Sequence, residues 1–416
     1  MSRPGAGTPP PHDAVLLAAV LLVALNLRGA IAAVAPVLAQ IRADLSLSAA
    51  AAGLLTTLPV LCFAAAAPVS AWLAKRTGLE AAVLIGCGVI AMGTVLRVLG
   101  GTTLLLVGTL ATGVAMTLGN VVVPVVIKRD FPASAGTLTG VYTAALAAGA
   151  ALAAALTAPV AAVWGWRAGL ACWSLLAVVA AAVWHVAMRA RGEVNGAGAR
   201  RPGAAEPENL PQEQAGPRLR RSPVAWAVAL FLGCQSVAYY SATAWLPTML
   251  ADTAGLDLSA AGAAMSLFQL LGIGGTLLIP LLAGRRSRQG WLGVSVACGW
   301  MVLLAGLLLW PSAWLAWVLI GGVAQGAGIS FAFTVLVLRS HDATATRALS
   351  AMTQLVAYTL GAAGPVVVGA LYEVTGGWRV PLLTLLTVVV SMVLLALVAG
   401  RDVTVGGPVG RASGTG

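Results

Sequence analysis

Charged residues are scarce in this sequence. Lys, Arg, Asp and Glu make up 9% of its 416 residues, whereas the apolar residue types make up 59%, and 49 residues are glycine. A water-soluble fold carries about 25% charged residues, because its surface must be solvated. Intrinsic disorder is excluded for the opposite reason, since disordered chains are poor in apolar residues. The composition therefore predicts a polytopic membrane protein.

Acidic residues, cysteines and histidines are also few, and this limits the chemistry that the chain can perform. The 13 acidic residues fall in predicted loops, tails and helix ends, and the five cysteines are scattered one per apolar run. The sequence contains no metal-ligand spacing, redox pair, hydrolase motif or phosphate-binding loop. It predicts no metal, no cofactor and no catalytic residue, so a membrane-embedded enzyme is the least favoured class.

Twelve apolar segments are long enough to cross a bilayer, which takes about 20 helical residues. They are residues 14–40, 48–74, 79–99, 102–127, 134–163, 168–188, 223–250, 258–284, 290–310, 312–338, 346–372 and 379–399. A polar stretch rich in Gly, Pro and Arg divides them into two sets of six. This predicts an N-terminal tail (1–13), an N-terminal six-helix bundle (14–188), a flexible linker (189–222), a C-terminal six-helix bundle (223–399) and a C-terminal tail (400–416).

The distribution of basic residues predicts the orientation of these helices. With both termini on one side, nineteen of the 24 Lys and Arg residues fall on that side and only Arg42, Arg167 and Arg379 on the other. Basic loops stay in the cytoplasm, so both termini are predicted to be cytoplasmic and the protein to span the cytoplasmic membrane several times. The net charge of +11 then reflects topology, and no nucleic-acid partner is predicted.

The two sets of six helices resemble each other at a nearly constant offset. Pro36 matches Pro247, 211 residues later, and the tripeptide Gly-Trp-Arg at 165–167 recurs at 377–379, 212 residues later. Parallel repeats of six helices are typical of secondary transporters. The predicted fold is an all-α membrane protein with 12 transmembrane helices in two six-helix pseudo-repeats.

One basic residue, Arg28, lies midway along the first predicted helix. A charge at that depth is costly unless it faces water, a partner or a substrate. No acidic residue is predicted at a matching depth. We interpret Arg28 as the anchor for an anionic or polar substrate in a central cavity. The alternative is a structural arginine that is bonded to backbone carbonyls and polar side chains.

Other polar residues within the predicted helices are candidates for the same cavity. At the repeat offset of 211, Arg28 corresponds to Tyr239, so the two are expected to face one cavity from opposite sides, and Gln235 shares the helix face of Tyr239. The candidate substrate-binding residues are Arg28, Asn26, Asn120, Gln235, Tyr239, Tyr240, Gln325 and Gln354, and Gln269 is a further polar residue of this kind. For the amide side chains, hydrogen bonding between helices is the alternative interpretation.

Two further expectations concern helix ends and helix shape. Arg97 lies at the outer end of the third predicted helix, where its side chain is expected to extend to the membrane surface. Prolines inside helices are expected to kink them, and transporters tolerate such kinks. These prolines are Pro59, Pro124, Pro247, Pro280 and Pro365.

Several stretches carry a family resemblance. Residues 71–78, Ala-Trp-Leu-Ala-Lys-Arg-Thr-Gly, resemble the loop motif G-x-L-A-D-R-x-G of the major facilitator superfamily, with Lys75 where that motif has Asp. Residues 24–28, Ala-Leu-Asn-Leu-Arg, and the stretch 119–132 resemble the cyanate and 2-nitroimidazole porter branch of that superfamily. The resemblance implies a major facilitator fold and gating roles for the motif residues Lys75, Arg76, Gly78, Lys128, Arg129 and Asp130.

The resemblance also implies a function, namely transport of a small polar or anionic solute by alternating access. Transport is facilitated or driven by a gradient, because the chain has no ATPase motif. A coupling proton stays open, since an anionic substrate can cross together with a proton. Two alternatives stay open as well: a drug or toxic-compound efflux pump of the same superfamily, and a transporter-like solute sensor. The predicted partners are the substrate and the lipid bilayer, and the predicted oligomeric state is a monomer.

Overall fold

The computed structural model describes residues 11–195, 221–283 and 289–405. Within these ranges the chain forms fourteen α-helices and three short 3-10 helices. The α-helices of the N-terminal half are α1 (Pro11–Ala32), α2 (Leu38–Leu45), α3 (Ala49–Ala65), α4 (Ala67–Thr77), α5 (Leu79–Leu96), α6 (Thr102–Asp130), α7 (Ala135–Ala171) and α8 (Trp173–Asn195). Those of the C-terminal half are α9 (Pro223–Ala254), α10 (Leu258–Ala283), α11 (Gly290–Leu309), α12 (Trp314–Arg339), α13 (Ala343–Thr375) and α14 (Arg379–Ala399). The 3-10 helices are Ala35–Val37, Pro132–Ser134 and Pro311–Ala313.

The described helices account for the predicted membrane segments. Ten stretches are long and apolar enough to cross a membrane, and the pair α3 and α4 makes an eleventh. The shorter apolar stretch Trp173–Arg189 within α8 corresponds to the remaining predicted segment. The prediction of an all-helical membrane protein with two sets of six helices is confirmed.

The two Gly-Trp-Arg loops make equivalent contacts in the two halves. Gly165 interrupts α7 with φ 80° and ψ 164°, a conformation that glycine adopts without strain. The indole of the following Trp166 donates a hydrogen bond to the carboxylate of Asp44 at 3.2 Å. In the C-terminal half the indole of Trp378 donates to Asp252 at 2.8 Å. Each loop tryptophan is therefore bonded to an acid at the end of the first membrane segment of its own half.

The helix bundle has two faces, which we name by the connection between the halves. The linker face is the one where α8 ends and α9 begins. There Arg129 at the end of α6 is 2.7 Å from Glu80 at the start of α5, and Trp184 of α8 donates to the Glu80 carbonyl at 3.2 Å. The opposite face carries the start of α3 and the end of α13, where the amide of Ala49 donates to Glu373 at 2.9 Å.

The two halves pack against each other through two helix pairs, α3 with α13 and α7 with α10. Gly53 of α3 lies so close to α13 that a Cβ added there would stand 2.6 Å from the carbonyl oxygen of Pro365. A Cβ at Gly262 of α10 would stand 2.8 Å from the carbonyl oxygen of Ala154 in α7. Small residues allow backbones to approach this closely. Both contacts lie toward the opposite face, so the halves are closely packed there.

The bend in the second membrane segment differs from the prediction. The sequence predicted one helix over 48–74, whereas α3 and α4 meet at a bend of 61°. Pro68 stands at the second position of α4. Proline has no amide hydrogen and its ring crowds the preceding turn, so the helix breaks at this point. The five prolines that were expected to kink helices lie inside continuous helices, at Pro59, Pro124, Pro247, Pro280 and Pro365.

The predicted linker and tails lie mostly outside the described residues. At their described edges, α8 continues to Asn195, inside the stretch 189–222 that was predicted to be the linker. Val405, in the predicted C-terminal tail, forms a short bridge with Ser340, and its amide donates to the carbonyl of Arg339 at 2.6 Å. The first residues of the tail therefore pack against the end of α12.

Candidate functional site

Arg28 contacts the other half of the protein. Its Nη1 atom donates a hydrogen bond to the hydroxyl of Tyr239 at 3.2 Å, and its guanidinium carbon lies 5.7 Å from the centre of the Tyr239 ring. Both contacts join α1 to α9, and the structure thus brings together the two residues that the repeat offset pairs. The ring face offers the guanidinium a weak cation–π attraction.

The contact continues to a third residue, Gln269 of α10. The Tyr239 hydroxyl accepts from Arg28, so its own hydrogen is free to be donated to Gln269 Oε1 at 3.3 Å. We call the chain Arg28–Tyr239–Gln269 the central bridge. Gln269 Nε2 is buried and has no hydrogen-bond partner among the described residues.

A large cavity lies on the linker-face side of the central bridge. It has a volume of about 550 Å³ and lies among α7, α10 and α12. Arg28 and Gln269 stand at its inner end, and most of its wall is apolar. The lining residues are Arg28, Thr139, Gly140, Val141, Thr143, Ala144, Leu146, Ala147, Gln269, Gly272, Ile273, Thr276, Leu277, Pro280, Gln325, Gly326, Ile329 and Ser330.

A much smaller chamber lies next to the central bridge, with space of about 10 Å³, enough for about one water molecule. Arg28 and Gln269 line this chamber as well as the large cavity, so the central bridge borders both spaces. The remaining lining residues are Ile31, Ala32, Phe63, Ala150, Tyr239, Tyr240 and Thr243.

The surroundings of Arg28 are aromatic rather than acidic. Tyr240 packs edge-on against Tyr239 with ring centres 5.1 Å apart, and Phe63 of α3 packs against Tyr358 of α13 at 5.6 Å. Tyr239, Tyr240 and Tyr358 are near enough to interact with the charge of Arg28. Among the described residues, no acidic side chain forms an ion pair with Arg28. The guanidinium therefore has hydroxyls and ring faces as neighbours but no counter-charge.

Of the other predicted site residues, one lines the large cavity, one lines the small chamber, and two bond within their own helices. Gln325 lines the large cavity and donates to the carbonyl of Phe268 at 3.3 Å. Tyr240 lines the small chamber. Asn26 donates to the carbonyl of Leu22 in its own helix at 2.8 Å. Gln354 donates to Ser350 at 2.8 Å, also within its helix.

Gln235 and Asn120 join helices within their own halves. Gln235 is fully buried; its amide donates to the Gln325 carbonyl at 2.7 Å and accepts from the Trp300 indole at 2.8 Å. Sharing a helix face with Tyr239 does not bring Gln235 to the cavity, because α11 and α12 cover that part of α9. Asn120 accepts from the hydroxyl of Tyr142 at 3.2 Å. For Gln235, helix-to-helix bonding is the interpretation that the geometry favours.

The motif residues lie on the linker face. Arg129 bonds to Glu80 at 2.7 Å and to Asp130 at 2.7 Å. Gly78, with φ 85°, precedes α5. The remaining motif residues, Lys75, Arg76 and Lys128, are exposed. Sequence reasoning did not include Glu80 in the site, although its place two residues after Gly78 is the signal that was available.

The C-terminal half repeats this arrangement with different chemistry. Arg339, at the end of α12, bonds to the side-chain oxygen of Gln289 before α11 and to Asp402 at 2.8 Å. Glu80 and Gln289 are 209 residues apart in the chain, and Arg129 and Arg339 are 210 apart. In each half, a basic residue at the end of the fourth membrane segment therefore holds the start of the third.

On the opposite face, polar contacts join the two halves directly. Thr57 donates to the carbonyl of Ala362 at 2.5 Å, deeper along the pair α3 and α13 than the bond between Ala49 and Glu373. The guanidinium carbon of Arg42 lies 6.0 Å from the Trp245 ring and 5.8 Å from the Tyr372 ring. The structure is therefore closed on the opposite face, while the large cavity lies toward the linker face.

Arg97 corrects one expectation. Its side chain does not extend to the membrane surface: it is 1% exposed, and Nη1 donates to the carbonyl of Ala30 at 2.8 Å. The reason lies on α6, where Gly108 leaves room for it, since a Cβ at Gly108 would stand 3.0 Å from Arg97 Cγ. The Nε and Nη2 atoms of Arg97 have no partner among the described residues.

This chain resembles known proteins in sequence. The family model described as Major Facilitator Superfamily matches residues 17–364. The 2-nitroimidazole transporter of Escherichia coli (strain K12) is 36% identical over 93% of this chain and 96% of its own length. The cyanate transport protein CynX of the same organism is 28% identical over 87% of this chain and 91% of its own.

A solved structure shares the fold at low sequence identity. It is a bacterial homologue of the human lysosomal transporter Spinster, crystallised in an inward-facing and unoccupied conformation. The TM-score is 0.77 at 17% identity, and the match covers 95% of this chain and 98% of that one. The arrangement of helices is therefore that of a known class of membrane transporters.

Proposed function

The chain belongs to the major facilitator superfamily, and on this premise we propose that it moves a small anionic or polar organic solute across the cytoplasmic membrane by alternating access. Arg28 is the charge anchor of that solute. Tyr239 and Gln325 supply hydrogen bonds beside it. Transport is secondary active or facilitated, with or without a coupling proton, and the working unit is a monomer.

The observation that carries the proposal is the position of Arg28. Its guanidinium stands at the inner end of a cavity of about 550 Å³, and only neutral side chains surround it among the described residues. Cavities of about 300–1,000 Å³ are typical of small-molecule sites. An intramembrane charge without a counter-charge gains most from a ligand that carries negative charge or strong polarity.

The relatives support a small solute. One of them is named for 2-nitroimidazole and another for cyanate, and the match covers most of each chain. Both compounds have few heavy atoms and carry polar groups. A cavity with one cation and several hydroxyl and amide groups fits solutes of this kind.

The two faces of the bundle support alternating access. The solute reaches Arg28 from the linker face, and its release on the other side requires the pairs α3 with α13 and α7 with α10 to separate. The excess of basic residues in the loops of the linker face supports its being cytoplasmic, together with both termini. The gate of the linker face then contains the motif residues Lys75, Arg76, Gly78, Lys128, Arg129 and Asp130.

The test is flux through purified protein in proteoliposomes, with radiolabelled cyanate and 2-nitroimidazole as probes. Arg28→Ala is expected to lower flux of a transported probe at least ~10-fold, because a hydrogen bond to a charged group contributes about 1.5–3 kcal/mol. Arg379→Ala, at an exposed arginine of the opposite face, is the matched control and is expected to transport like the wild type.

Two results would count against the proposal. Wild-type flux in Arg28→Ala would remove the anchor role. Saturable binding of a probe without any flux through the wild-type protein would favour the solute sensor instead.

A further inference from the structure

We propose that Gln269 is the second anchor of the substrate and that the substrate class is a small organic monocarboxylate with an apolar body. This inference rests on the proposed transport function and names the ligand of the same cavity. Gln269 lies in the C-terminal half, whereas Arg28 lies in the N-terminal half, so the carboxylate is held from both halves.

The Gln269 amide has a defined orientation beside the Tyr239 hydroxyl. Its Oε1 atom accepts from the Tyr239 hydroxyl, because that hydroxyl already accepts from Arg28 and has one hydrogen to give. In this orientation Nε2 is the free end of the amide. Nε2 is buried and unpartnered among the described residues, and Gln269 lines both cavities. A buried donor without an acceptor destabilises the fold until a ligand supplies one.

The site offers hydrogen-bond donors from both halves of the protein. Arg28 carries only donors, and one of its nitrogens bonds to Tyr239. Gln269 adds a second donor, its Nε2 atom. This residue lies on the other side of the Tyr239 hydroxyl from Arg28, because its Oε1 atom accepts from that hydroxyl. A planar group with two acceptor oxygens satisfies both donors at once, which a single-atom anion or a group with its own N–H does not. A carboxylate also supplies the negative charge that Arg28 lacks.

The wall of the large cavity is mostly apolar. Beyond the two anchors most of this wall is aliphatic, with side chains that include Leu146, Ile273, Leu277 and Ile329. The hydroxyl groups of Thr143, Thr276 and Ser330 donate their hydrogens to backbone carbonyls. Hydroxyl groups of a sugar-like substrate would be desolvated against such a wall, whereas an apolar body gains from leaving water. The cavity therefore favours an aromatic or branched aliphatic acid over an inorganic anion or a polyol.

A bound carboxylate also changes the contact between the two halves. The carboxylate takes the place of the Tyr239 hydroxyl on Arg28 and at the same time bonds to Gln269. Substrate binding thus replaces a direct contact between the halves by a contact through the ligand. Gln269 is the residue through which the C-terminal half responds to an occupied site.

The experiment measures binding of three compounds of the same shape to the purified full-length protein by calorimetry. Benzoate has charge and two acceptor oxygens, nitrobenzene has the two oxygens without the charge, and benzamide places an N–H group toward the donors. The wild type is expected to bind benzoate at least tenfold more tightly than nitrobenzene, and benzamide most weakly.

The variants separate the two anchors. Gln269→Leu keeps the volume and removes the donor, and it is expected to weaken benzoate binding 10- to 100-fold while benzamide binding changes less than threefold. Gln269→Glu keeps a polar side chain but adds a negative charge that repels the carboxylate of benzoate, so it is expected to abolish benzoate binding. Gln40→Leu, the same change on the opposite face, is the matched control and is expected to bind like the wild type. Thermal unfolding without ligand shows whether each variant is folded.

The outcomes distinguish this inference from the transport function beneath it. Wild-type benzoate affinity in folded Gln269→Leu would overturn the anchor role of Gln269. Absence of benzoate binding to a wild-type protein that transports cyanate in an Arg28-dependent way would overturn the carboxylate class and leave the proposed function standing. Absence of both would overturn the two proposals together.

Discussion

The carboxylate of Glu373 accepts a hydrogen bond from the backbone amide of Ala49, the first residue of α3, at 2.9 Å. The two residues are 324 positions apart and belong to different halves. An acid at the start of a helix stabilises its free amides, and here that acid comes from the end of α13. Ser48 caps α3 from within its own half by accepting from the amide of Ala51 at 3.1 Å, and Glu373 adds a second acceptor that is present only when the opposite face is closed.

Replacing Glu373 is expected to open the opposite face. Glu373→Gln keeps an acceptor but removes the charge at the start of α3, and a charge at a helix N-terminus contributes about 0.3–1 kcal/mol, so the open population is expected to rise about 2- to 5-fold. The measurement is double electron–electron resonance between spin labels on the exposed residues Ala39 and Val374, where a longer distance is expected to gain population.

The matched control for this change is Asp257→Asn. Asp257 accepts from the amide of Ala260 at 2.7 Å at the start of α10, within its own half. Asp257→Asn weakens the cap of α10 and leaves the contacts between the two halves unchanged. An equal shift of the distance distribution in both variants would show that capping alone, rather than contact between halves, sets the effect.

Arg42 is expected to contribute to the same closure through aromatic rings. Its guanidinium lies near Trp245 and Tyr372 of the other half, and cation–π contacts contribute about 0.5–1 kcal/mol each at exposed sites. Arg42→Ala is expected to open the opposite face, and Arg42→Lys to do so less. The same spin-label pair reports the change, and an unchanged distribution in Arg42→Ala would contradict the role.

Gly53 is expected to be intolerant of any side chain. A Cβ at this position would stand 2.6 Å from the Pro365 carbonyl oxygen, so Gly53→Ala must push α3 away from α13. We expect a shift to the open opposite face and flux lowered at least ~10-fold, because overpacking typically costs 1–3 kcal/mol. The control is Gly88→Ala in α5, where a Cβ meets nothing within 4 Å. If Gly53→Ala kept the spin-label distances of the closed opposite face, the close contact between α3 and α13 would be refuted.

Arg97 is expected to be replaceable by an apolar residue of similar length. A buried guanidinium with a single hydrogen bond adds little stability, and apolar replacement of buried charges is often neutral or stabilising. Arg97→Met is therefore expected to keep or raise the melting temperature in detergent. Arg97→Ala leaves a cavity beside Gly108 and is expected to lose about 2–4 kcal/mol. A large loss in Arg97→Met would instead indicate a required charge.

The fold was predictable because composition and repetition are properties of the sequence itself. Apolar runs of membrane length locate the helices, and the offset of 211 residues relates Arg28 to Tyr239 without any structure. Parallel repeats place equivalent residues on either side of one axis. The bond between these two residues follows from that symmetry.

Other features depend on neighbours that one helix does not reveal. Arg97 near a helix end has the sequence signature of a surface arginine, and only Gly108 on α6 makes room to bury it. Gln235 shares a helix face with Tyr239, yet Trp300 and the Gln325 carbonyl occupy its amide. The closed face is also not encoded in any single residue, because the alternating access that we propose uses the same sequence in both states.

The central bridge has a consequence for the membrane that holds the protein. The large cavity ends at Arg28 and Gln269, and the chamber next to them has room for about one water molecule. We expect no continuous water column to pass such a constriction, and we expect the guanidinium charge to repel protons and metal cations that approach it. With no solute bound, a transporter of this kind is therefore expected to be electrically tight, so that a cell can hold many copies of it without short-circuiting its membrane potential.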